Sequence, residues 1–314
     1  MNKTVKIACA CNKKFAVLLA TLLKSIEVNH CINGNTVEVF IIDNGIGVKR
    51  KNKIIDTVDQ QKVSLRFLKI PLHLKNTLNA FPNGSKFTHY YRLFLVSILP
   101  ETIERILYLD CDMLVLNSLT SLWEIQLNPN EIIGAVEDTP TKTVNSKVYH
   151  NVSVISNWQQ LGFDMNDPYF NSGLLLIDLY KWRENNITQK VIDITAQYFE
   201  HVLFYDQYGL NVILRNKWKL LNTRYNSFCT QKELDLNDIV ILHFISIKPN
   251  VFDYPNGYQI LFYHYLDQTK WSKKRGLEYK KMPKLFDRVL KKHPILQNFG
   301  DNLLYKINQF IQPW

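Results

Sequence analysis

Asp110 and Asp112 leave the C-terminal end of an apolar run, Arg105-Ile106-Leu107-Tyr108-Leu109. At i, i+2 spacing on extended chain both side chains point the same way, so the two carboxylates can share one divalent cation. A hard cation held by carboxylates suits a pyrophosphate, whose oxygens it bridges and whose charge it offsets. A triplet of this kind also arises by chance on many surfaces. Its place after a strand gives it weight, because open α/β sheets bind ligands outside the carboxyl ends of their strands. Further along, Ile239–Leu242 delivers His243 to another strand end, five residues before Lys248. A neutral imidazole among carboxylates favours Mn2+ over Mg2+, and Lys248 can meet a phosphate as a point charge. A single His after a strand is more often a satisfied core residue, so His243 depends on its companions.

These residues need a sheet to carry them. Val5–Cys11, Val37–Asp43, Ser64–Ile70 and Arg105–Leu109 have the apolar content of strands buried on both faces. Ile132–Val136, Gly173–Leu179 and Ile239–Leu242 extend the set. Helical spacing falls at Phe15–His30, where Val17, Leu18, Leu22, Leu23 and Ile26 share a side. It continues at Lys49–Gln60, Thr88–Leu99, Tyr180–Phe199 and Gln207–Leu214. The opening β-α-β-α-β rhythm predicts an α/β fold with a parallel sheet, right-handed crossovers and a Rossmann-like nucleotide-binding half. No glycine-rich dinucleotide fingerprint follows the first strand. Asn83-Gly84 and Thr139–Asn157 read as loops, the latter long enough to cover a site.

A chain of 314 residues with 46% hydrophobic and 21% charged content fits one large soluble domain, or a core domain with an appendage. Five cysteines form an odd set without framework spacing, expected to be reduced thiols of a cytosolic protein. Cys9 and Cys11 face one way on a strand, but no second Cys/His pair completes a zinc site. The N-terminus begins a strand and not a signal peptide. No run of eighteen uncharged apolar residues occurs, so no membrane-spanning helix is expected. The net charge is uneven: from Gln268 to Trp314 there are 11 Lys/Arg against 3 Asp/Glu, a net +8 out of +10. Aromatic and aliphatic residues such as Trp271, Tyr279, Phe286 and Trp314 alternate with that charge. Such mixing suits an amphipathic segment on an anionic bilayer surface. A solvated basic face on the main domain is the plainer alternative, and no nucleic-acid motif accompanies the charge.

The ordered motifs resemble glycosyltransferase family 8, the group of glycogenin and of bacterial lipopolysaccharide and lipooligosaccharide galactosyl- and glucosyltransferases. The similar segments include Thr88-His89-Tyr90-Tyr91-Arg92-Leu93, Arg105–Val115, Ser118–Trp123, Gly134–Asp138, Tyr169–Leu179, Asp206-Gln207, Leu221–Asn226 and His243-Phe244 with Lys248-Pro249. The resemblance covers roughly residues 5–250. It implies a GT-A-type Rossmann-like fold with a mixed, mostly parallel sheet over 1–265. A small basic helical segment, 266–314, would then dock on the inner face of the cytoplasmic membrane. It implies that Asp110, Asp112 and His243 hold Mn2+ (or Mg2+) against the diphosphate of a UDP-sugar. Ala8, Asn12, Arg92, Asp110, Cys111, Asn171 and Lys248 would contact the donor. Asp138, Asp206 and Gln207 would stand around the anomeric carbon as the catalytic group. The expected reaction transfers galactose or glucose, with retention, to a cell-surface glycan such as lipopolysaccharide core or a glycoprotein.

The chain departs from the family pattern in three places, the mildest being Asp206-Gln207-Tyr208, which lacks a frequent third acidic residue. Ala10 stands where the first-strand motif commonly carries a carboxylate. The segment from His243 to Lys248 is one residue shorter, with Ser246 in place of glycine and Asn250 in place of tryptophan. Two rivals follow from these residues. A metal-dependent nucleotidyltransferase would use the same acidic pair, but it usually carries a glycine-rich phosphate loop that is missing here. A catalytically silent binding module would explain the altered His243–Asn250 segment but not the intact acidic and amide residues.

Overall fold

The computed structural model describes residues 4–82, 84, 88–231, 234–245, 248–250 and 257–272. Its first half alternates strands and helices: β1 (Thr4–Asn12), α1 (Ala16–Asn29), β2 (Thr36–Asn44), α2 (Val48–Ile55), β3 (Val63–Leu68) and α3 (Leu72–Thr77). A 3-10 stretch, Thr88–Phe94, runs into the short α4 (Leu95–Ile98), followed by β4 (Arg105–Leu109), β5 (Met113–Val115), α5 (Thr120–Trp123) and β6 (Ile133–Glu137). The second half holds β7 (Phe170–Asp178), α6 (Leu179–Glu184), α7 (Ile187–Gln197), α8 (Tyr205–Ile213), β8 (Trp218–Leu220), β9 (Ser227–Phe228), β10 (Ile241–His243) and α9 (Gln259–Leu266).

The main sheet has seven strands in the order β3-β2-β1-β4-β7-β6-β8. Strands β3, β2, β1 and β4 pair in parallel, as do β6 and β8, whereas β7 runs against both β4 and β6. The sheet is therefore mixed and mostly parallel. Reversal of β7 has a direct consequence for function. Its first residues share one rim with the last residues of β1, β4 and β6. A second, three-stranded sheet, β5-β10-β9, stands beside that rim.

Two hydrophobic cores cover the faces of the sheet. Cys9, Leu22, Leu23, Ile26, Val39, Ile41, Leu107 and Leu109 are fully buried in one, and Phe40, Tyr108, Leu175, Leu210 and Trp182 lie in the other. Each such aliphatic or aromatic side chain contributes about 1.5–3 kcal/mol when fully buried. A third, smaller core of Val144, Val154, Ile155, Phe163, Tyr169 and Tyr208 lies under the connection between β6 and β7. That connection is closed at its neck, where the Asp138 N–H donates to Tyr169 O at 2.9 Å. The expected Thr139–Asn157 loop is thus part of a longer excursion with a core of its own.

Several boundaries differ from expectation. The helix expected over 180–199 breaks at Asn186, whose left-handed φ of 47° separates α6 from α7. The stretch expected as a helix over 88–99 is mostly 3-10, with Tyr90, Tyr91, Arg92, Leu93 and Phe94 all buried. Helix α2 ends at Ile55 instead of continuing to Gln60. Trp271, grouped above with the tail aromatics, is buried in the first core with the Lys53 ammonium 5.4 Å from its ring centroid. The basic segment from residue 273 to 314 lies outside the described residues. All five cysteines are free and buried, and among the described residues no helix is long and apolar enough to cross a membrane.

Candidate active site

The acidic pair sits where the sheet rim meets the small sheet. The Asp110 N–H donates to Gly173 O at 2.8 Å, which locks the end of β4 to the start of β7. Three residues on, β5 pairs with β10 in the register His243↔Met113. The Phe244 N–H donates to Asp112 O at 2.9 Å. This register brings His243 beside Asp112, with Nε2 3.5 Å from Oδ1. One ligand atom each from Asp110, Asp112 and His243 lie within 4.8 Å of one another. The Lys248 ammonium pairs with the other Asp112 oxygen. Burial pushes the Asp112 carboxyl up, but Lys248 and His243 outweigh it and hold the group well below the usual carboxylate range. Two carboxylates and one imidazole, with a cation already drawn to them, form a donor set that fits a hard divalent ion.

Beside this cluster lies an unusually buried arginine. Arg92 is 2% exposed, and its guanidinium carbon lies 4.3 Å from the Tyr108 ring centroid. Its Nη2 donates to Asp110 Oδ1 at 3.1 Å, and its Nη1 donates to Ser172 O. Its Nε is 2.9 Å from Asp206 Oδ2, yet the N–H is aimed at His89 O, 3.1 Å away. The Arg92–Asp206 contact is therefore an ion pair without an aligned hydrogen bond, and Asp206 Oδ2 accepts none. Burial raises the Asp206 carboxyl to about 7, with Arg92 opposing. Asp206 lies in the first turn of α8, directly after Tyr205, whose left-handed φ of 42° is a strained setting for a bulky residue.

Gln207, Asn171 and Asp138 form a buried polar frame. The Ser172 N–H donates to Gln207 Oε1 at 2.9 Å, and Ser172 Oγ donates to the same oxygen at 3.3 Å. Gln207 Nε2 donates to Asp138 Oδ2 at 3.0 Å, where Asn171 Nδ2 also donates at 3.2 Å. A backbone N–H can only donate, so Ser172 fixes which way the Gln207 amide faces. Asp138 is brought here from the end of β6 and Asn171 from the start of β7.

The acidic cluster opens onto a cleft of about 290 Å³ whose walls include Asn12, Thr88, His89, Tyr108, Cys111 and Lys248. Asn12 ends β1. Its Oδ1 accepts from the Lys14 and Phe15 N–H groups, and its Nδ2 donates to Thr88 Oγ1 at 3.2 Å. Cys111 lines the cleft with its thiol turned to Ala10 O at 3.3 Å. Ala8 is not brought there: it is fully buried in the second core and paired with Tyr108 in mid-sheet. Ala10, two residues on, lines the wall instead. Four contributors lacked an assigned role in the sequence: Tyr108, Ser172, His89 and Asn226. Tyr108 alone carried a local signal, being two residues before Asp110 on the same strand face. Its hydroxyl donates to Asp110 Oδ1 at 3.1 Å.

Comparison with known proteins places this geometry. The family model described as "Glycosyl transferase family 8" matches residues 6–249. General stress protein A of Bacillus subtilis is 26% identical over 260 residues, covering 75% of this chain and 84% of that protein. The lipopolysaccharide 1,2-glucosyltransferase of Escherichia coli is 32% identical over 169 residues, covering 52% of this chain and 47% of that enzyme. Among solved structures, the galactosyltransferase LgtC in complex with donor and acceptor sugar analogs superposes with a TM-score of 0.70 at 23% identity. It covers 86% of this chain and all of that one. The fold is thus the GT-A type of that galactosyltransferase, and the chain belongs to glycosyltransferase family 8.

Proposed function

We propose that this glycosyltransferase moves a hexose, galactose or glucose, from a UDP-sugar to a cell-surface glycan such as lipopolysaccharide core, with retention at the anomeric carbon. The observation that carries this reading is the convergence of Asp110, Asp112 and His243 within 4.8 Å at the mouth of the cleft. Mn2+ is the cation these ligands suit, and when bound it would offset charge on the diphosphate. Lys248 adds a second positive charge on the same side. Arg92 holds Asp110 in place and stands ready for the donor sugar, while Asn12 and Cys111 border the nucleoside end.

Asp138, Asp206 and Gln207 stabilise positive charge developing on the sugar as the bond to phosphate breaks. The Gln207 carbonyl oxygen, the only nucleophilic atom of that amide, already accepts two hydrogen bonds from Ser172. This supports a front-face reaction over a covalent intermediate. The acceptor hydroxyl attacks on the side from which UDP departs, and its proton passes to the leaving diphosphate. The LgtC complex with donor and acceptor analogs supports a nucleotide-sugar donor and a glycan acceptor here too. The part of the basic segment 266–314 that follows the buried Trp271 would hold the enzyme at an anionic membrane surface, close to a lipid-linked acceptor.

The test is UDP release from a panel of UDP-sugars with Mn2+ present or chelated. Mn2+-dependent turnover of one UDP-hexose, lost in Asp112→Ala, is the expected result. No release and no UDP binding by calorimetry would sink the reading.

A further inference from the structure

One buried amide links the sugar-side frame to the imidazole of the acidic cluster. Asn226 is fully buried and follows a 3-10 turn, just before β9. Its Nδ2 donates to Asn171 Oδ1 at 3.0 Å, and its Oδ1 lies 3.0 Å from His243 Nδ1. The orientation of each group in this chain can be worked out from one fixed donor. The Gly173 N–H donates to Asn171 at 3.0 Å, so the atom it meets must be the amide oxygen. Asn171 then turns its nitrogen to the Asp138 carboxylate, which can only accept when ionised. Asn226 faces the Asn171 oxygen and must present its own nitrogen there. That leaves the Asn226 oxygen toward His243, so Nδ1 must carry the proton.

We infer that Asn226 is a positioning residue that holds His243 in the Nδ1–H tautomer and leaves the Nε2 lone pair facing Asp110 and Asp112. Without such a partner a neutral imidazole populates both tautomers, and the one protonated on Nε2 cannot bind a cation through that atom. The Phe228 ring, edge-on to His243 with centroids 5.6 Å apart, limits ring rotation but offers no acceptor to choose between tautomers. Asp112 Oδ1 lies 3.5 Å from Nε2 without forming a hydrogen bond, so the choice falls to Asn226. The same hydrogen-bond chain runs on through Asn171 to Asp138 and Gln207, so the metal side and the sugar side share one rigid frame. This inference rests on the proposed cation site, but the tautomer can be tested without a cation.

The experiment uses full-length, metal-free protein with 15N-labelled histidine at a pH where the imidazoles are neutral. Two-dimensional ring spectra are recorded, with His243 assigned by its loss in His243→Gln. The expected wild-type result is a single Nδ1–H tautomer. Asn226→Leu should give a tautomer mixture and weaken Mn2+ binding by ~10–100-fold in calorimetry. Asn226→Asp keeps an acceptor for Nδ1–H while losing the donation to Asn171. It should retain the tautomer and most of the affinity, which a purely structural role would not predict. A wild-type His243 protonated on Nε2 overturns the inference whether or not either variant folds. Unchanged tautomer and affinity in Asn226→Leu would do the same. Wild-type protein that shows the Nδ1–H tautomer but takes up no Mn2+ supports the assignment and sinks the cation reading instead.

Discussion

His243 packs on Gly173 so closely that a Cβ built on residue 173 would stand 2.5 Å from the ring Cε1. The same Cβ would lie 2.9 Å from Asn171 Oδ1 and 3.1 Å from Asp110 Oδ2. Backbone conformation does not demand glycine here; space does. Gly173→Ala should therefore push the imidazole away from the acidic pair. We expect a loss of ~1–3 kcal/mol from overpacking and Mn2+ affinity lowered by ~10-fold or more. Thermal unfolding and calorimetric titration with Mn2+ would measure both.

Asp112 has two close neighbours in the absence of metal, the Lys248 ammonium and the His243 ring. Asp112→Asn removes the charge that holds them together and one ligand of the proposed site. Donor turnover should fall by ~100-fold or more, and added Mn2+ should no longer restore it after chelation. Steady-state UDP release across a Mn2+ titration gives the answer.

Stability should depend on pH through Asp206 and Asp112 with opposite signs. The folded-state carboxyl of Asp206, raised to about 7 by burial against the pull of Arg92, binds a proton more tightly than in the unfolded chain. Its contribution is present below the unfolded value of ~4 and is lost as pH rises toward 7. Asp112 is depressed, so its contribution is present above ~4 and is lost as pH falls below that. Urea unfolding between pH 4 and 8 should show a decline that Asp206→Asn flattens. Equal slopes in both proteins would contradict the assignment.

Gln207 offers a test of the front-face reaction. Gln207→Glu places a carboxylate where the amide nitrogen now donates to Asp138 Oδ2 at 3.0 Å. Two carboxylates at that separation cannot both ionise cheaply. The variant should lose ~1–3 kcal/mol of stability at pH 8 relative to pH 5. Mass spectrometry of wild-type protein incubated with donor should show no hexose adduct on Gln207 or Asp206.

Much of the site was legible because its elements are locally marked. β4 matches the expected Arg105–Leu109 strand, since an apolar run ending in acidic residues has few other readings. The short strands β5, β8 and β9 carry too few residues to show a period. Helix α9 was silent for a different reason: nearly every side from Gln259 to Leu266 is buried, so no polar stripe alternates with an apolar one. The 3-10 geometry around Arg92 comes from tertiary packing, which buries five consecutive residues. Asn226 and Ser172 owe their roles to partners distant in sequence, and nothing adjacent to them marks those roles. Ala8 was misplaced because the strand continues two residues beyond it before reaching the rim.

The excursion between β6 and β7 leaves the rim at Asp138 and returns at Tyr169, through a neck where the Asp138 N–H donates to Tyr169 O, the Tyr169 N–H to Lys142 O and the Val144 N–H to Asp167 O. Its interior is packed on Val144, Val154, Ile155 and Phe163. Lengthening a loop whose ends are already joined is inexpensive, with each doubling costing only ~0.6 kcal/mol of closure entropy. The stretch also leans on α8, where Tyr208 shares its core and donates to Asn157 Oδ1 at 2.9 Å, so a replacement must keep those contacts to leave Asp206 and Gln207 undisturbed. An insertion held this way can vary in length away from its neck and its Tyr208 contacts while the rim keeps its geometry.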